Sequence, residues 1–90
     1  MNYIYNVTED IISELPDLDY NLAQLYALLA LTTGVNTSLE NVHDAWAVWT
    51  QNSRPDHPSL IPFESLTAEV QELDREYRDA IVQVAENLYI

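Results

Sequence analysis

The chain has 90 residues, fifteen acidic against three basic, giving a formal charge of −12, and it contains no Cys. That charge opposes direct binding to nucleic acid or to anionic membranes, whose binders need Lys and Arg to displace counterions from phosphates. The missing Cys excludes disulfides, thiolate chemistry and Cys-based zinc sites, and a hydrophobic fraction of 48% excludes a disordered chain.

The expected fold is all-α: a compact bundle of about four helices in a single domain, residues 1–90, made of an N-terminal helical pair (1–36) and a second part (37–90). The first helix is expected from about Ile4 to Glu14, because Ile4, Val7, Ile11 and Leu15 recur at helical spacing and Pro16 stops the run. It lacks the basic start and apolar run of a signal peptide. The longest apolar stretch, Leu25 to Leu31, is far short of the roughly 20 residues that span a bilayer. A soluble, cytoplasmic protein is therefore expected. Asp17-Leu18-Asp19 offers N-caps for a second helix carrying Leu22, Leu25, Tyr26, Leu28, Leu29 and Leu31. Being apolar on most of its circumference, this helix is expected to be central and most buried. Gly34, the one glycine, stands where a left-handed C-cap is wanted.

A third helix opens on Thr37-Ser38-Leu39-Glu40, which reads as a capping box. Its buried stripe is Leu39, Val42, Trp46 and Trp49. Pro55, Pro58 and Pro62 then make Asn52 to Pro62 an extended, stiff loop. The last helix follows a turn at Phe63–Leu66. Its stripe of Leu66, Val70, Leu73, Tyr77, Ala80 and Val84 predicts one amphipathic element packed on the others. The exposed part of this helix makes a homodimer a further expectation.

The residues able to carry chemistry sit in the second part. His43 is read first as a histidine bonding the Pro-rich loop or a carboxylate of the last helix, and second as a ligand contact. His57 precedes Pro58 within the loop. No metal-ligand spacing links the two histidines, and no calcium loop is present, so neither metal nor cofactor is expected. No Ser or Cys nucleophile has a partner motif, so no enzyme is expected. Trp46 and Trp49 share a helix face, as core or as the lining of a pocket closed by the loop. Arg54, Arg75 and Arg78 are the only cations. Arg75 is read as pairing with Glu72 or Asp79 and Arg78 with Asp74, in solvated pairs. The sharper alternative brings all three together near His43 as an anion site.

The stretch Leu39-Glu40-Asn41-Val42-His43-Asp44-Ala45-Trp46-Ala47 resembles the opening of the ryanodine-receptor repeat. His57-Pro58-Ser59-Leu60-Ile61-Pro62-Phe63-Glu64-Ser65-Leu66 and Asp74-Arg75 resemble that family's later blocks, in the same order. The chain departs from the family in a shorter loop without its Gly-aromatic pair. The first 35 residues have no counterpart there and resemble short actinobacterial and phage proteins. The resemblance implies a helical, non-enzymatic module, with a small nucleotide-like ligand held between helix 3, the Pro-rich loop and the last helix by His43, Trp46, Trp49, Arg54, His57, Arg75 and Arg78. The charge supports a different expectation: an acidic interaction module, a phage or host-defence factor or a DNA mimic, that docks on a basic partner protein.

Overall fold

The computed structural model describes residues 2–88. Among these residues five α-helices form: α1 (Tyr3–Glu14), α2 (Tyr20–Thr32), α3 (Leu39–Thr50), α4 (Ala68–Glu72) and α5 (Arg75–Asn87), with 3-10 turns at Gly34–Asn36 and Phe63–Ser65. The fold is an all-α bundle, and among the described residues there is no strand. Among the described residues, no helix is long and apolar enough to cross a membrane.

Helix starts follow local chemistry. The side chains of Asn2, Asp19, Ser38 and Thr67 accept backbone N–H groups at the starts of α1, α2, α3 and α4, each such cap stabilising its helix by about 1 kcal/mol. The capping box of α3 lies one residue later than the sequence suggests. Ser38 accepts from the Asn41 amide while the Asn41 side chain accepts from the Ser38 amide, at 3.0 and 2.9 Å. Thr37 is instead buried, its hydroxyl 2.7 Å from both the Gly34 carbonyl and the Thr33 hydroxyl. Gly34 takes φ +58° just past α2, the left-handed conformation that a side chain would strain.

α2 touches α1, α3 and α5. Ala23, Ala27 and Ala30 are fully buried along it, and such small residues let neighbouring helices approach closely. Val7 and Ile11 from α1, Val42 from α3, and Ile81, Val84 and Ala85 from α5 complete the core. Central placement of α2 thus follows from its apolar circumference, although Leu28 on its outer side stays 54% exposed.

Two segments depart from the sequence reading. The last helix is not continuous: Leu73 and Asp74 separate α4 from α5, and Leu73 is 70% exposed. The Pro-rich segment is not extended but a succession of turns. The Arg54 amide bonds the Thr50 carbonyl, the His57 amide the Arg54 carbonyl, and the Leu60 amide the His57 carbonyl. Pro55 and Pro58 take the second position of the two following turns, where a fixed φ favours the bend.

Candidate functional site

A cleft of about 520 Å³ opens between α2, α3, the Pro-rich loop and the α4–α5 junction, within the usual range of ligand pockets. The α1–α2 connector supplies Asp17, Leu18 and Asp19, and α2 supplies Leu22 and Tyr26. From α3 come His43, Trp46 and Trp49, and from the loop His57 and Ser59. Val70, Leu73, Asp74 and Tyr77 form the last wall. Their spacing of three, four and seven residues keeps a helical stripe across the break between α4 and α5.

Short-range contacts fix most of the aromatic side chains. His43 is buried, and its Nε2–H donates to the Ile61 carbonyl at 2.8 Å, tying α3 to the loop. The Trp46 ring lies 5.7 Å from His43 in a stacked arrangement and 5.0 Å from His57, edge to face. His57 is held in turn by its own turn, Nδ1 accepting from the Ser59 amide at 3.0 Å. The Trp49 indole N–H donates to Asp19 at 3.1 Å. Tyr26 and Tyr77 meet at 6.0 Å with tilted rings. Burial pushes the Tyr26 hydroxyl well above its ordinary pKa, reinforced by the Asp74 and Tyr77 charges. Burial also raises the pKa of the Asp74 carboxyl, an effect that His43 partly offsets.

The structure brings together four of the seven residues singled out from sequence: His43, Trp46, Trp49 and His57 line the cleft. The three arginines do not line it. Arg75 makes a two-point contact with exposed Glu72, at 2.7 and 3.1 Å. This pairing holds the Glu72 carboxyl below its ordinary pKa and the Arg75 guanidinium above its own. Arg78 does not pair with Asp74. Its Nε donates to the Thr37 carbonyl at 3.1 Å and its NH1 to Asp79 at 2.8 Å. Arg54 is exposed in the loop. The converging anion site therefore does not form.

Sequence reasoning passed over the acidic and phenolic parts of the lining, Asp17, Asp19, Tyr26, Asp74 and Tyr77. One signal was readable: Asp74 stands four residues after Val70 and three before Tyr77, a carboxylate in the middle of an apolar stripe. No group of three or more His, Asp or Glu side chains could hold a metal among the described residues. A second, more open hollow of about 600 Å³ lies between Ala47, Val48 and Gln51 of α3 and Pro55, Leu60, Ile61 and Pro62 of the loop, and His43 borders both.

A family model described as Domain of unknown function (DUF7701) matches residues 2–86, and the chain belongs to that family. No curated protein and no solved structure matches it. The family match corrects the ryanodine-receptor-repeat resemblance, which left the first 35 residues without a counterpart. Local chemistry accounts for those blocks: Val42 fills the core, His43 ties down the loop, and Pro58 turns the chain.

Proposed function

We propose that this chain is a non-enzymatic binding module that docks on a basic partner protein through the face containing the cleft. The observation that carries the reading is the charge of the lining. Asp17, Asp19 and Asp74 surround the aromatic rings, and no arginine is among them. Within a chain of net charge −12, such a site repels anions and attracts cations, steering encounter with a positively charged surface. A cytoplasmic location belongs to the same proposal and is supported by the absence of Cys.

The test is affinity capture from host lysate at low and high salt, followed by reconstitution with the purified partner. The expected outcome is a partner with a basic surface whose association weakens as salt screens the charges. Recovery of no partner, or of one held equally at both salts, would sink the idea.

A second reading, a small planar ligand such as a nucleoside, draws support from the indole rings and from a volume suited to small molecules. Here the carboxylates favour uncharged bases over phosphorylated ones. Thermal-shift measurements should then rank a nucleoside above its own nucleotide, and the reverse ranking would reject this version.

A further inference from the structure

Asp74 stands apart from the other residues that precede helices in this fold. Asn2, Asp19, Ser38 and Thr67 all turn their side chains back to cap backbone N–H groups. Asp74 occupies the same position for α5, yet its carboxylate makes no such bond. It lines the cleft instead. Burial disfavours its charged form, so an opposite charge beside it is wanted. Neither neighbouring arginine serves it, Arg75 being turned to Glu72 and Arg78 to Thr37 and Asp79, and His43 offsets the effect of burial only in part. The cleft thus combines a half-buried carboxylate, unpaired among the described residues, with flat aromatic walls.

We infer that the cleft seats a single arginine side chain of the partner, its guanidinium paired with Asp74 and lying against the aromatic rings. This rests on the docking reading and names what enters the site. Guanidinium suits the lining better than ammonium for three reasons. It is planar and stacks on aromatic faces, it sheds water more easily, and its fork matches both oxygens of a carboxylate. The Trp49 ring is already oriented by its bond to Asp19, so little ordering is left for the binding step.

The experiment is a Trp-fluorescence titration of the whole chain with acetyl-Gly-Arg-Gly-amide and with its lysine and citrulline counterparts. Citrulline keeps the shape of arginine and removes the charge. The arginine peptide should change the emission, the lysine peptide should bind roughly tenfold more weakly, and citrulline should leave the signal flat. Asp74→Asn, nearly the same shape, should weaken arginine binding by roughly tenfold or more. Equal responses to all three peptides, or none, overturn the inference on the unaltered protein, whatever the variant does. A basic partner captured undiminished by Asp74→Asn also overturns it, but leaves docking on a basic protein standing. If capture finds no basic partner, the docking reading fails on its own and the peptide titration still decides the cleft.

Discussion

α2 serves two regions that obey opposite rules. On one side Ala23, Ala27 and Ala30 meet Val7, Ile11, Ile81 and Val84 in a core without a charged group. On the other, Leu22 and Tyr26, themselves buried with the core, border a cleft with three carboxylates and two imidazoles. The core side is closed mostly by small and branched residues. The cleft side is walled by large rings held apart by hydrogen bonds: Trp49 to Asp19, His43 to Ile61, and His57 to Ser59. Apolar burial fills space because it has no direction, whereas directed bonds can hold a cavity open.

If that division is right, truncations on the two sides differ most in cost. Ile81→Ala, at a fully buried position of α5, should lose about 2–5 kcal/mol, a large share of the roughly 5–15 kcal/mol typical of a domain. Leu73→Ala on the cleft wall should stay within about 0.5 kcal/mol. Urea unfolding of both variants makes the comparison, and equal losses would erase the distinction.

A smaller effect is expected where the two regions are joined. Arg78 bonds the Thr37 carbonyl and so anchors α5 to the α2–α3 connection. Arg78→Ala should cost about 1–2 kcal/mol, the worth of a charge-assisted hydrogen bond to a carbonyl largely withdrawn from water. A denaturation midpoint matching that of the unaltered chain would show that the bond contributes nothing.

Thr50 tests the core side for imperfection. Its hydroxyl is buried without a hydrogen-bond partner among the described residues. Thr50→Val keeps the branched shape and removes the unsatisfied group, so a gain of up to about 1 kcal/mol is expected in calorimetry. A loss would mean that the hydroxyl has a role the packing does not reveal.

The smallest effect is one of pH. Folding raises the Asp74 pKa, so the folded chain takes up this proton more readily than the unfolded one. The ionised carboxyl therefore costs stability at neutral pH, and the cost fades as pH falls through the raised value. Asp74→Asn should melt above the unaltered chain at neutral pH, with the gap closing in acid. A gap of constant size across that range would contradict the assignment of the cost to Asp74.

Much of the architecture was legible in the sequence because helix signals are local. Pro16 ended α1, Asp19 capped α2, and Gly34 took the left-handed position. The break at Leu73–Asp74 was not legible. The apolar stripe runs through it without losing phase, and periodicity reports faces rather than continuity. The cleft was half legible. The α3 stripe marked Trp46 and Trp49, and the loop histidine lay close in sequence to the prolines that position it. Asp17, Asp19 and Asp74 come from segments brought together only by packing. The arginines misled for a related reason. Arg75 and Arg78 share a helix face with acidic neighbours, and the nearest carboxylate, not the cleft, claims Arg75. A backbone carbonyl 41 residues away holds Arg78, which no local rule anticipates.

The Pro-rich loop borders both hollows, with His57 and Ser59 lining the cleft and Pro55 and Leu60 to Pro62 lining the second hollow. It acts as a partition wall, and the His43–Ile61 bond is the bolt that fastens it to α3. His43 lines both hollows, so this one bond fixes a side chain that the two share.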